Sequence, residues 1–341
     1  MIRTARTPSI KRFTVAATAV ALSGLMLAGC QGKGASETGD SMTVGLTYTP
    51  NVQFAPFYVA EDLGYFDDEG VDVDLRHHGQ SEDLFGAMKS GKEQLVYASG
   101  DEITQAAAGG TDVVSVATLY NTYPAVLITK QDSGIESAKD LKGKTVGVPG
   151  LYGQTYLALL AMLDDAGLSQ DDVKIQAVGY TQQAALTSDR VDAVMGFSNN
   201  EAVQFKAAGM KIRVIDAVDA KNPQLVGPSV GSDSKTIKDN GKDVTKVLTA
   251  VDKAIDYMEE HPEETVDIAA KYVPTLKSDE QKEQALATLK ATLPLMEADG
   301  DAPLLTNDAE KFSTMATFME DADIIDKAVD PKSLYTNDLL P

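Results

Sequence analysis

Few side chains in this chain are able to do covalent or metal chemistry. There is one cysteine, Cys30, and three histidines, His77, His78 and His261. His77 and His78 are neighbours in a stretch that alternates apolar and polar residues. On a strand their side chains leave opposite faces, so they cannot clamp one metal ion. The sequence has no HExxH, no CxxC and no Walker glycine loop, and no GxSxG elbow. Asp164-Asp165 and Asp171-Asp172 flank expected helix ends, where carboxylates cap or face solvent. Asp321-Ala322-Asp323 lacks the glycine and following ligands of a calcium loop. We therefore expect no metal, no cofactor and no enzymatic activity.

The lone sulfur has a different use. Arg3, Arg6, Lys11 and Arg12 precede an uncharged apolar run over residues 13–28. That run is shorter than the roughly 20 residues of a membrane span and fits a secretory h-region. It ends in Leu27-Ala28-Gly29-Cys30, which resembles a bacterial lipobox. Residues 1–29 are read as a lipoprotein signal peptide, Cys30 as the lipidation site and residues 30–42 as a flexible Gly/Ser-rich tether. The expected location is the extracytoplasmic face of the cell membrane, anchored through lipid at Cys30. With a single cysteine no intrachain disulfide can form, although that compartment permits them.

The remaining length suits two lobes better than one core. The net charge is −21, with 51 acidic against 30 basic residues, the opposite of a nucleic-acid binder. Beyond the signal segment only Arg76, Arg190 and Arg213 remain as arginines.

Strand-like and helix-like stretches alternate. Strands are expected at residues 44–48, 71–77, 95–98, 113–119 and 125–129, with helices at 55–63, 82–89 and 102–108. The pattern restarts near residue 130: strands at 145–148, 173–180, 191–197 and 212–218, helices at 155–166, 182–188 and 200–208. Such alternation predicts α/β architecture with largely parallel sheets covered by helices. From Thr236 onward the reading is almost all helix: 242–260, 262–272, 278–293 and 308–323.

Four stretches carry a resemblance to a known family. They are Tyr48-Thr49-Pro50-Asn51 with Phe54-Ala55-Pro56-Phe57-Tyr58; Gly64-Tyr65-Phe66-Asp67-Asp68-Glu69-Gly70-Val71; Asp140-Leu141-Lys142-Gly143-Lys144-Thr145-Val146-Gly147-Val148; and Val191-Asp192-Ala193-Val194-Met195-Gly196-Phe197. Over residues 42–219 the chain is similar to type II periplasmic solute-binding proteins of ABC importers. The branch is that of thiamine-pyrimidine-precursor, alkylsulfonate and nitrate receptors. The resemblance implies a two-lobed periplasmic-binding-protein-like type II fold, with central sheets flanked by helices and a helical C-terminal tail. Residues 43–130 plus 225–341 would form lobe 1, and 131–224 lobe 2. The hinge crossings would lie near 129–131 and 219–230, and the C-terminal helices would pack on the first lobe. Its partners would be a small-molecule ligand and a membrane permease, with no nucleic acid, and the receptor itself a monomer.

In open parallel sheets ligands sit beyond the carboxyl ends of the strands. That rule selects Tyr48, Asn51, Gln53 and Phe54 after the first strand, Ser99, Asp101 and Glu102 after the third, and Tyr120 after the fourth. In the second half it selects Tyr152, Gln154 and Thr155, then Asn199, Asn200 and Glu201. These loops hold carboxylates and aromatics without Arg or Lys. They suit an aromatic heterocycle with amino groups, stacked on tyrosine and bonded to carboxylate. The expected ligand is an aminopyrimidine-like vitamin precursor. Riboflavin, an aliphatic sulfonate or nitrate are alternatives, and an enzyme like those of thiamine-pyrimidine synthesis is the alternative of another class.

Overall fold

The computed structural model describes residues 41–79, 82–219, 225–298 and 300–341. The signal segment and Cys30 lie outside the described residues. Met42, expected to end the tether, is already a buried strand residue.

In chain order the first half contains β1 (Met42–Leu46), α1 (Ala55–Asp62), α2 (Tyr65–Glu69), β2 (Val73–His77), α3 (Gly86–Lys89), β3 (Leu95–Ser99), α4 (Gly100–Ala108) and β4 (Val114–Thr118). Next come β5 (Ala125–Lys130), β6 (Thr145–Val148), α5 (Gln154–Asp165), β7 (Lys174–Ala177), α6 (Gln182–Thr187), β8 (Ala193–Phe197), α7 (Glu201–Ala207) and β9 (Ile212–Asp216). The chain closes with β10 (Pro228–Ser232), α8 (Ser234–Glu260), α9 (Pro262–Tyr272), α10 (Asp279–Met296) and α11 (Ala309–Asp321). The strands form two five-stranded sheets, ordered β2-β1-β3-β10-β4 and β7-β6-β8-β5-β9.

Each sheet is parallel except for one strand. In the first, β10 runs antiparallel to both β3 and β4. In the second, β5 runs antiparallel to both β8 and β9. These two are the strands that arrive from the other sheet. A chain that crosses at the carboxyl ends of one parallel set enters its new sheet from those same ends, and must run against its neighbours. The expectation of largely parallel sheets therefore holds, with its exceptions set by the crossings.

The first crossing lies earlier than residues 129–131. β4 ends in the first sheet at Thr118, and β5 is already the fourth strand of the second. The β-branched run at 125–129 looks like any buried strand, and its placement between β8 and β9 depends on partners far along the chain. β10 has no sequence signature either. Its Pro-Ser-Val-Gly-Ser stretch is fully buried, and a Cβ on Gly231 would stand 3.0 Å from Val113. Small residues let it fit between β3 and β4.

The long α8 buries Val244, Val247, Leu248, Val251, Ile255 and Met258, a helical three-and-four spacing that seats one face on the first core. A short first segment starts at Ser234, where Asp233 caps it by accepting the Thr236 N–H at 2.7 Å, and a kink at Asn240 (φ −124°, ψ 17°) separates it from the helix expected from residue 242. α9 and α10 join the same core. α11 does not: Phe312, Met315 and Met319 pack with β5, β6, β8 and α5 in the second core. The expected helix at 82–89 shrinks to α3, residues 86–89.

Candidate functional site

The carboxyl ends of both parallel strand sets face a shared cleft of about 860 Å³. From the first lobe it is lined by Thr47, Tyr48, Gln53, Phe54, Tyr97, Ser99, Glu102 and Tyr120; from the second by Tyr152, Gln154, Thr155, Tyr180, Phe197, Asn200 and Glu201. An arm toward α3 adds His78, Glu82, Asp83, Phe85 and Lys89. Among the described residues no group of three or more His, Cys, Asp or Glu side chains is placed to hold a metal ion, and no helix is long and apolar enough to cross a membrane.

The structure brings together Tyr48, Gln53, Phe54, Ser99, Glu102, Tyr120, Tyr152, Gln154, Thr155, Asn200 and Glu201 of the residues expected from the sequence. Three others do not line the cleft. Asn51 spends its side chain on a local turn, accepting the Gln53 N–H at 3.0 Å. Asn199 is buried and donates Nδ2 to Thr292 Oγ1 of α10 at 2.9 Å, a tie between the lobes. Asp101 lies beneath the cleft floor.

Asp101 is fully buried. Its Oδ2 accepts the Tyr123 hydroxyl at 2.6 Å, and its Oδ1 accepts the Ser99 hydroxyl and the Glu102 N–H. The Tyr123 hydroxyl also reaches the Gln154 carbonyl at 3.2 Å, so the chain crossing between sheets is pinned to both α4 and α5. Burial, and then the charge of Glu102, push the Asp101 carboxyl from 3.8 up to about 8. The folded protein thus keeps a proton that the unfolded chain releases, and Asp101 makes stability fall as pH rises from 3.8 to about 8. The slope from one such group is on the order of 1 kcal/mol per pH unit. Asp101→Asn cannot ionise and should flatten the decline in Tm between pH 5 and pH 8, measured by calorimetry. Parallel Tm profiles for the two proteins would refute this assignment.

Two carboxylates face the cleft itself. Glu201 opens α7; its Oε2 accepts the Phe197 N–H at 2.8 Å and its Oε1 the Asn200 side-chain amide at 3.0 Å. Gly196 makes room, since a Cβ there would stand 2.8 Å from Glu201 Cβ. Glu102 completes a capping box with Ser99 at the start of α4, and its Oε1 crosses to the second lobe to accept the Gln154 N–H at 3.2 Å. Burial raises both carboxyls above their ordinary value. Among the described lining residues Lys89, in the α3 arm and 3.9 Å from Asp83, is the lysine, and arginine contributes none.

Aromatic rings bound the rest. Tyr48 and Tyr180 meet edge to face across the lobes, centroids 4.8 Å apart. Burial, with the Glu201 charge, raises the Tyr48 hydroxyl well above its ordinary value. Phe54 packs edge-on against Tyr97 at 5.2 Å and His77 at 5.4 Å. Tyr152 stands 65 % exposed at the mouth, its ring folded over Gly150.

Sequence reading missed Tyr180, Tyr97 and His78. Tyr180 was hidden by an overlong strand: β7 stops at Ala177, so Tyr180 belongs to the loop that the strand-end rule selects. His77 and His78 do leave opposite faces. His77 contacts Tyr58 and the Tyr48 carbonyl, while His78 turns to Glu93. Nothing in the local sequence shows that the second of them reaches a cavity.

A family profile described as NMT1/THI5 like matches residues 51–265. The chain belongs to the NMT1/THI5-like family. It is 30% identical over 311 residues to the riboflavin-binding protein RibY of Chloroflexus aurantiacus, covering 90% of this chain and 88% of that one. It is 26% identical over 316 residues to the formylaminopyrimidine-binding protein of Halalkalibacterium halodurans, covering 92% and 95%. Both of these relatives are named as binding proteins. In fold it matches the alkanesulfonate-binding protein SsuA from Xanthomonas axonopodis pv. citri bound to MOPS, with TM-score 0.69 at 16% identity over 88% of this chain and 99% of that one. The periplasmic-binding-protein architecture expected from the sequence is the fold observed.

Proposed function

We propose that this chain is a lipid-anchored, extracytoplasmic substrate-binding protein of an ABC importer. Its cleft takes a small heteroaromatic vitamin precursor of aminopyrimidine type. The observation that carries this reading is the pairing, in one interlobe cleft, of two desolvated carboxylates, Glu102 and Glu201, with the rings of Tyr48 and Tyr180, which meet edge to face. An amino-substituted ring satisfies both: its face meets tyrosine, and its exocyclic N–H groups donate to carboxylate. Bound between the lobes, it would bridge them and favour a closed shape that a permease reads. The ligand leaves chemically unchanged.

Riboflavin is a second reading, favoured by the cleft volume of about 860 Å³ and by the similarity to RibY. Native mass spectrometry of the purified protein, followed by a thermal-shift panel, tests both. Recovery of an intact aminopyrimidine or flavin mass, with a matching rise in Tm, supports receptor function. If neither a pyrimidine nor a flavin raises Tm, the ligand reading fails; a product mass that differs from the added compound would point to catalysis.

The anchor has its own test. Cys30→Ser is expected to leave ligand affinity unchanged and to lower uptake by intact cells, because a tether of about twelve residues keeps the cleft near its permease. Equal loss of affinity and uptake would contradict a role confined to anchoring.

A further inference from the structure

The first turn of α5 opens onto the cleft, and its own sequence does not cap it. Gly153 at the N-cap offers no side chain, and no acidic residue stands in the first turn. A helix start with free N–H groups is a natural seat for an anion. Here a carboxylate comes from the opposite lobe: Glu102 Oε1 takes the Gln154 N–H at 3.2 Å. Gly153, at φ +78°, allows this approach, for a Cβ there would stand 3.1 Å from Glu102 Oε1. A second polar group at the same place is left unpaired. Gln154 is 8% exposed and lines the cleft, and its Nε2 donor is buried without a hydrogen-bond partner.

We propose that Glu102 is a specificity-determining residue, which fills the anion seat at the α5 N-terminus with the protein's own carboxylate and so excludes sulfonates and phosphates from the cleft. This rests on the reading of the cleft as the ligand site. It goes beyond that reading by assigning ligand charge to one residue. An incoming sulfonate would have to displace Glu102 from Gln154 or lie against its charge, and Glu201 would add a second repulsion. A neutral or protonated heterocycle meets neither obstacle.

Glu102→Gln isolates the charge, because glutamine preserves the Ser99 capping box. Ethanesulfonate and inorganic phosphate, titrated calorimetrically into the full chain in detergent, are the probes. Wild type should show no measurable heat of binding. Glu102→Gln should gain ethanesulfonate affinity of about hundredfold over the wild-type limit, and Glu102→Ala should gain likewise. Glu201→Gln should gain little, since Glu102 still occupies α5. Equal ethanesulfonate affinity in wild type and Glu102→Gln would overturn the proposal, and so would failure of both Glu102 variants to bind either anion. The heterocycle panel on wild type is a separate readout. Its failure removes the heterocycle reading, whereas the sulfonate gain in Glu102→Gln reports on the seat alone.

Discussion

Glu201→Gln is expected to weaken binding of the amino-substituted heterocycle about ten- to hundredfold while the fold stays intact, the usual worth of a hydrogen bond to a charged group. Glu201 is fixed before any ligand arrives: Phe197 N–H and the Asn200 amide hold its two oxygens, and Gly196 lets it lie against the strand end. Each oxygen keeps a further lone pair for a donor in the cleft. Glutamine keeps one acceptor and turns the other into a donor, so an exocyclic amine meets an amide N–H. The loss should appear in titration calorimetry as a weaker Kd, with Tm of the free protein within a few degrees of wild type. Affinity retained within twofold would remove Glu201 from the binding machinery.

The second large effect concerns stability. Glu93 is wholly buried within a network: Arg76 donates to its Oε1 at 2.5 Å, and His78 Nε2 lies 2.9 and 3.0 Å from its two oxygens. Its carboxylate rests over Gly45 of β1, where a Cβ would stand 2.4 Å away. Glu93→Ala leaves Arg76 with Glu82 as its remaining partner and strips His78 of the contact that orients it. The expected cost is about 3 kcal/mol, seen as a fall in Tm of roughly 5–10 °C. Gly45→Ala alone should cost about 2 kcal/mol through overpacking against that carboxylate. In the double variant the new methyl occupies space that Glu93 vacated, so the two costs should not add. Additive Tm losses, or a Glu93→Ala Tm within 2 °C of wild type, would show that Gly45 and Glu93 are not matched as described.

Much of this was legible in the sequence. Local periodicity located most strands and helices, since burial of one face demands a repeat of two or near 3.6 whatever the partner. The strand-end rule then chose loops, and eleven of the fourteen residues it selected line the cleft. Asp101 and Asn199 illustrate its limit. Both sit in the right loops, but one turns down to Tyr123 and the other across to Thr292. A loop's position follows from its strand, whereas the direction of a side chain depends on neighbours distant in sequence. The same reason hid β10, the true crossing before β5, and the departure of α11 to the second core.

The sequence by itself determined the class of architecture, the acidic and arginine-poor character of the loops, and the carboxylate at position 102. Only the tertiary structure decided what that carboxylate does. The helix-start pattern at Ser99 to Glu102 explains its capping role completely. Its reach to Gln154 exists because two sheets, joined by β5 and β10, bring α4 and α5 end to end across the cleft. Hydrogen bonds within a turn are encoded by spacing along the chain. A contact spanning 52 residues is encoded only by the packing that brings its ends together.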